Sequence, residues 1–259
     1  MAFDDGIVDV DYSLVNEGII VTDEYFSIVM DGTVHVVNQS EPRNRTYTKM
    51  PLHDADGAEV QMMVSEYSIN SVFLTAVELG LLKYENNDQT SENIEAILAD
   101  FEKAFGQYPN VSLVVQASNS NLTKYKPTMK ISESGSLLEF YLDLHIRNPI
   151  DPRIDAALII AKAVANVSFY VNREFVLSGD IHELQLSVIE FFPYFKTSTT
   201  KENMNSKLSL LIPLMESYAN SVLDDGWKLP LPSNITRYIL NERVVPKNGY
   251  LLIDGDADF

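Results

Sequence analysis

Lys201–Leu223, KENMNSKLSLLIPLMESYANSVL, is the stretch on which the fold turns. Met204, Leu208, Leu211, Met215, Tyr218 and Val222 recur at steps of four and three, which places them on one side of an amphipathic helix. Asn205, Ser206, Ser209, Glu216, Ser217 and Asn220 fill the other side. Leu210, Ile212, Leu214 and Leu223 widen the apolar stripe, so the middle of the helix is expected to be covered on most sides. Each such side chain contributes about 1.5–3 kcal/mol when buried, an upper bound set by the unfolded-state reference. Pro213 removes a backbone donor and crowds the turn before it, which predicts a kink. Asp224-Asp225-Gly226 follows as the exit.

Outward from this helix the apolar period changes from 3.6 to two. Phe140–Ile146 and Leu184–Ile189 alternate clearly, within predicted strands Leu137–Ile146 and Phe175–Phe192. Val111–Ala117 and Thr128–Ile131 are shorter strands. Ala156–Phe169 is ambiguous, because ALIIAKAVANV would also serve as a helix; its strand neighbours and Asp151-Pro152 favour a long strand. Downstream of the helix, Ile235–Leu240 and Tyr250–Asp254 are short strands. Upstream, Ile7–Val37 alternates and keeps phase across Gly32, so Asp31-Gly32 is either a bend in a continuing strand or a two-residue hairpin. Glu59–Val64 is a short strand, and Ser68–Leu82 is a second long helix with Ile69, Val72, Phe73, Ala76, Val77 and Leu79 on a broad apolar face. Ser91–Ala104 is a third, shorter helix. This order has no βαβ alternation and predicts an antiparallel α+β fold.

The 259 residues suffice for one large domain or two small ones, and 46% hydrophobic content marks a chain with a substantial core. Nineteen basic against 37 acidic side chains, a formal charge of −18, exclude the cationic footprint that nucleic acid requires and argue against electrostatic attachment to anionic membranes. No apolar run is long enough to span a bilayer as a helix. Cysteine is absent, which excludes thiol chemistry and Cys-zinc sites. Six N-glycosylation sequons, at Asn38, Asn44, Asn110, Asn121, Asn166 and Asn234, stand among 19 asparagines, where chance gives roughly two or three. This excess favours a secreted glycoprotein, with Asn166 in the most apolar setting. Met1-Ala-Phe-Asp-Asp lacks the features of a signal peptide, so a secreted chain is expected to be a fragment whose signal lies upstream.

No catalytic constellation emerges, and no enzyme activity, metal site or cofactor is expected. His35, His53, His145 and His182 are scattered singly, in settings typical of strand or loop histidines with local partners. Asp254-Gly255-Asp256-Ala257-Asp258 has the alternate carboxylates of a calcium loop but ends before the later ligands, so a solvated tail is expected. Asp54 and Asp56 after His53 form an acidic pair by spacing, but Gly57 favours a turn there.

Val10-Asp11-Tyr12-Ser13-Leu14-Val15, then Met50-Pro51-Leu52-His53-Asp54 leading into the Ser68–Leu82 helix, resembles the opening of the C-terminal half of bactericidal/permeability-increasing protein and its lipopolysaccharide-binding and lipid-transfer relatives. Gly226-Trp227-Lys228-Leu229-Pro230-Leu231-Pro232 and Tyr250-Leu251-Leu252-Ile253-Asp254-Gly255-Asp256 are similar to that family's ending. The element order between them matches too, including a proline inside the long helix. The resemblance implies a tubular module: a strongly twisted antiparallel β-sheet or barrel wrapped around a long kinked helix, with one further long and one short helix. Residues 1–37 would be strands partly shared with a central sheet, and residues 38–259 the tubular module. An apolar slot between helices and sheet would hold acyl chains of a phospholipid or another lipid, with Ile69, Val72, Phe73 and Val77 from one helix and Leu208, Leu211, Met215 and Val222 from the other as candidate lining; ordinary core is the competing account of each. Expected partners are lipid and either a second tubular module upstream or further copies joined through sheet edges. The acidic charge departs from the family's cationic antibacterial members and argues against lipopolysaccharide binding. The rival function is a structural, self-assembling glycoprotein that keeps the fold without lipid transfer.

Overall fold

The computed structural model of the chain describes residues 8–37, 50–54, 58–85, 112–119, 121–122, 124–147, 151, 153–172, 174–194, 200–229 and 239–257. The predicted Ser91–Ala104 helix lies outside them. Strands β1 (Val8–Asp11), β2 (Leu14–Val21), β3 (Phe26–Met30) and β4 (Thr33–Val36) form one long antiparallel hairpin, β1 pairing with β4 and β2 with β3. The Gly32 N–H bonds the Asp11 carbonyl at 2.7 Å and the Asp31 N–H that of Ser13 at 3.0 Å, which carries the ladder across the break. Of the two expectations at Asp31-Gly32 the bend holds, because the hairpin reverses at Thr22–Tyr25 instead.

Strand β5 (Val60–Ser65) runs into helix α1 (Glu66–Glu78). The helix starts before Ser68 because the Ser65 hydroxyl accepts the Ser68 N–H at 3.0 Å, as an N-cap does. The main sheet then assembles from β6 (Lys83–Glu85), β7 (Ser112–Ala117), β8 (Thr128–Ser132), β9 (Gly135–Arg147), β10 (Asp155–Val171) and β11 (Val176–Pro193), joined by β12 (Trp227–Lys228) after the long helix. Its order is β12-β11-β10-β9-β7-β6, all antiparallel, with β8 on the same edge of β9 as β7. The ambiguous alanine-rich segment is a strand. Ala161, Ala163, Ala165 and Val167 are buried while Lys162, Val164, Asn166 and Ser168 are half-buried or exposed, the period of two that a helix would break. Register shifts within the β10–β11 ladder, one beside Glu183 at φ 53°, are bulges that bend and twist these long strands.

The decisive stretch forms helix α2 (Lys201–Leu208), a 3-10 turn (Ser209–Leu211) and helix α3 (Ile212–Asp224). Pro213 has no N–H for the Ser209 carbonyl, so the helix tightens one turn before it, where the kink was expected. The last two strands, β13 (Ile239–Lys247) and β14 (Tyr250–Ala257), are joined by the two-residue turn Asn248-Gly249, with Gly249 at φ 86°. Of the predicted strand Ile235–Leu240, residues 235–238 lie outside the described residues and Ile239 and Leu240 open β13, which runs on to Lys247; the predicted Tyr250–Asp254 lies within β14. β14 also pairs with β5, giving the order β13-β14-β5. Asp254, expected in a solvated tail, is instead in β14 with a side chain 1% exposed, bonded by both Nε (2.5 Å) and Nη2 (3.0 Å) of Arg243 and by the Ala58 N–H (3.2 Å).

Both helices seal strand edges with side chains that imitate a peptide. Asn220 accepts the Ile181 N–H (2.6 Å) and donates to the Ile181 carbonyl (3.3 Å); Glu216 accepts the Leu184 N–H (2.9 Å), and Asn205 that of Val188 (2.6 Å). Beyond its short pairing with β12, the β11 edge is therefore capped by the long helix. On α1, Asn70 bonds both the N–H (2.6 Å) and the carbonyl (3.0 Å) of Met129 in β8, while Ser71 and Thr75 hold the N–H (2.9 Å) and carbonyl (3.1 Å) of Val34 in β4. Tyr218 of α3 reaches the opposite edge of the main sheet and donates to the Lys83 carbonyl of β6 at 2.8 Å. The twisted sheet is thereby wrapped around the long helix, and one apolar core includes residues of both helices, the main sheet, β5 and β14.

Candidate functional site

Between α1 and α3, over the inner face of the sheet, lies a half-open slot of about 140 Å³. That is room for about ten water-sized spheres, far more than a packing defect. α1 supplies Ile69, Val72, Phe73 and Val77; α3 supplies Met215, Tyr218, Ala219, Val222 and Leu223. The strands contribute Val115, Phe140, Leu142, Phe169 and Ile181 among others, and Trp227 stands at the start of β12. Period-two alternation turns every second residue of β7, β9 and β11 toward the helices, so an apolar floor follows from strand pattern and two apolar walls from helix pattern.

The slot wall has no charged side chain. Its polar side chains are Ser178, whose hydroxyl donates to the Asp224 carbonyl (3.2 Å), Trp227 with its indole N–H, and Tyr84 and Tyr218, whose rings meet edge to face at 5.8 Å. Burial pushes both phenols above their ordinary titration range, so they stay neutral at physiological pH. Gly226 shapes one end. It sits at φ 64°, and a Cβ there would come within 2.4 Å of Val176 and 2.5 Å of Ser178.

Of the eight side chains the sequence nominated, Ile69, Val72, Phe73, Val77, Met215 and Val222 come together around this slot. Leu208 and Leu211 do not. Both are 0% exposed in the core, where the first half of the helix presses on β11. Tyr218, Trp227 and the strand residues were missed as lining. Tyr218 stood on the same stripe and was the one readable from sequence.

Asn121 is exposed between β7 and β8, its side-chain oxygen accepting the Lys124 N–H at 3.1 Å. Asn166 is also exposed, on the outer face of β10, and donates to Glu183 at 2.8 Å. Asn38, Asn44, Asn110 and Asn234 lie outside the described residues. His53 stacks on Tyr25 with ring centroids 5.2 Å apart, and His145 bonds Asp155 at 2.8 Å. His35 is half-buried in β4 and His182 exposed in β11. Asp54 pairs with Lys247 at 2.9 Å. Among the described residues no three His, Asp or Glu side chains are grouped to hold a metal ion, and no helix is long and apolar enough to cross a membrane.

An apolar slot with neutral polar groups can hold a hydrocarbon chain by burial alone. Against known proteins, the family described as "LBP / BPI / CETP family, C-terminal domain" matches residues 3–259. No curated protein sequence matches the chain. Among solved structures, a crystal structure of lipopolysaccharide binding protein is similar, with 16% identity and a TM-score of 0.46 over 98% of this chain and 56% of that one. The chain thus spans little more than half the length of that protein.

Proposed function

The chain belongs to the LBP / BPI / CETP family, as a C-terminal domain of that family, and on that premise we propose that it is an extracellular lipid-binding or lipid-transfer module holding acyl chains in the slot between α1 and α3. The observation that carries the proposal is the slot's wall, which is apolar from both helices and from the sheet floor. Each methylene moved from water into it contributes about 0.8 kcal/mol, so a chain of modest length is held without any covalent step. Solvent extraction and mass spectrometry of the purified protein test this. Lipid at near-stoichiometric yield is expected, and protein free of lipid after exposure to phospholipid vesicles would overturn it.

Secretion and N-glycosylation belong to the same proposal. Asn121 and Asn166 are the acceptors exposed on the described surface, and their occupancy in protein from the native source can be read by peptide mapping.

One observation keeps the rival reading of an assembling glycoprotein in view. The outer part of the N-terminal hairpin exposes Leu14, Ile19, Val21, Phe26 and Ile28, with Val21 73% and Phe26 63% accessible. Such a face calls for a partner surface. Under the first reading that surface is a second tubular module sharing a sheet; under the rival it is another copy of this chain. Sedimentation of the lipid-free protein separates them, since self-association at micromolar concentration supports the rival.

A further inference from the structure

The slot has a filled end and a looser one. On the long helix the stripe that lines it as Val222, Tyr218 and Met215 continues one turn earlier as Leu211, which is wholly buried in the core. On β9 the inward face lines it with Leu138, Phe140 and Leu142 and continues as Leu144, again wholly buried; on β7 the lining Val115 gives way to Leu113 in the same manner. These three changes fall at one end. Val115 is opposite Leu144 and Leu113 opposite Ile146, while Val188, held by Asn205 of α2, is level through β10 with Ala161 and Leu142. At the other end Phe169, Val222 and Trp227 line the slot and are only half-buried.

Volume then limits what such a blind slot can take. An enclosed apolar cavity of about 150 Å³ accepts one benzene, six carbons. At about 140 Å³, with a half-open mouth, the slot has room for roughly six to eight methylenes before the filled end stops them. Two chains entering together would share that space, each seating half as many carbons, so a second chain adds no burial. The wall offers a head group little: it carries no charged side chain, and the Ser178 and Tyr218 hydroxyls already donate to the carbonyls of Asp224 and Lys83. A phosphate or carboxylate moved inside would leave water without a partner to replace it.

We infer that the slot seats the end of a single acyl chain, to a depth of roughly six to eight carbons, and that its substrate class is the monoacyl lipid, with the head group left outside. This rests on the proposed lipid binding and names the lipid class for it. A diacyl phospholipid lodges one chain and leaves the other without a place in the wall. Affinity is set by the seated carbons alone, so it grows with chain length only until the filled end is reached.

The test uses the full chain and the fluorescence of Trp227, its one tryptophan, which lines the slot. Alkylphosphocholines of increasing chain length are titrated below their micelle concentrations, with equilibrium dialysis as a second measure of binding. Affinity is expected to rise roughly fourfold per methylene up to about six to eight carbons and then to level off. Octanoyl lysophosphatidylcholine and dioctanoyl phosphatidylcholine should bind within about threefold of each other, since the second chain finds no further room. Met215→Ala, which removes side-chain volume beside the filled end, should move the break to longer chains by about two carbons. A rise that continues well past eight carbons without a break, a second octanoyl chain that tightens binding by more than about threefold, or an unchanged break in folded Met215→Ala protein overturns the inference and leaves lipid binding standing. Neither a Trp227 response nor retention in dialysis for any of these lipids overturns lipid binding itself. The chain-length series on the unmodified protein decides the matter even where the variant folds poorly.

Discussion

The two halves of the long helix carry one continuous apolar stripe and put it to different uses. In the first half Met204, Leu208 and Leu211 are wholly buried against β11 and neighbouring strands. In the second, Met215, Tyr218 and Val222 face an unfilled slot, and Tyr218 and Val222 remain half-buried. The 3-10 turn at Ser209–Leu211 separates the two. A stripe at steps of three and four says which side of a helix is apolar; whether the opposing surface fills or leaves the space is decided by residues far away in sequence.

The largest expected difference between the halves is in stability. Leu211→Ala should cost about 2–5 kcal/mol, as a cavity opened in a filled core does, and should leave the amount of extractable lipid unchanged. Val222→Ala removes contacts from a wall already facing open space and should cost about 1 kcal/mol. Urea unfolding of both variants measures the gap; equal losses would mean the stripe is of one kind throughout.

Next in size is the response to added volume. Val222→Trp should fill the slot and abolish lipid recovery at a stability cost of about 1–3 kcal/mol. Leu211→Trp should destabilise at least as much and affect lipid only in proportion to unfolded protein. Lipid loss from folded Leu211→Trp protein would move the slot into the first half of the helix.

A third expectation makes the halves alike. Asn205→Ala in α2 and Asn220→Ala in α3 each leave a strand amide of β11 without its partner, at a cost of about 1–3 kcal/mol. Hydrogen exchange should quicken at Val188 in the first variant and at Ile181 in the second, and each variant should self-associate more readily through the uncovered edge. A change confined to one of them would show that the edge is capped over only part of its length.

The smallest effect is that of pH on the slot half. Burial raises the Tyr84 and Tyr218 phenols, so the folded state holds their protons more tightly than the unfolded state. Their contribution to stability is fully present below the ordinary phenol range, near pH 10, and is lost as pH rises beyond it. Lipid retention should therefore be flat from pH 6 to 9. Release within that window would point to another titrating group at the slot.

Much of this was legible in the sequence, for identifiable reasons. The long stripe, the Pro213 break, the α1 face and the alternation of β9 and β11 are local patterns of period 3.6 or two, and each element formed. β10 was harder, because alanine suits both periods; its neighbours decided it. The Asn248-Gly249 turn is a strong hairpin signal that was present but unread, and so the run of β13 on to Lys247 was missed, whereas Tyr250–Asp254 falls within β14. Polar edge contacts were not readable: Asn205, Glu216 and Asn220 look solvent-facing on a helical projection, which cannot show that a strand edge lies there. For the same reason Leu208 and Leu211 could not be told from slot residues.

Strand β14 has a consequence in time. It lies between β13 and β5, and its contacts reach far back along the chain: the Ala58 N–H meets the Asp254 carboxylate across 196 residues, and the Ala257 N–H meets Glu59 across 198. Among the described residues β5 has no other strand partner, and α1 begins where β5 ends. The long helix can settle on β11 from close by in sequence, whereas α1 gains its anchoring strand only when a loop of nearly the whole chain has closed, the slowest kind of contact to form. One wall of the slot is thus expected to mature late. Pulse-labelled hydrogen exchange during refolding should protect β9–β11 before β5 and α1, and simultaneous protection would show the chain folding in a single step. If the order holds, a nascent chain passes through a stage in which the greasy face of α3 has no opposite wall, and that stage, rather than the finished protein, sets its need for chaperones.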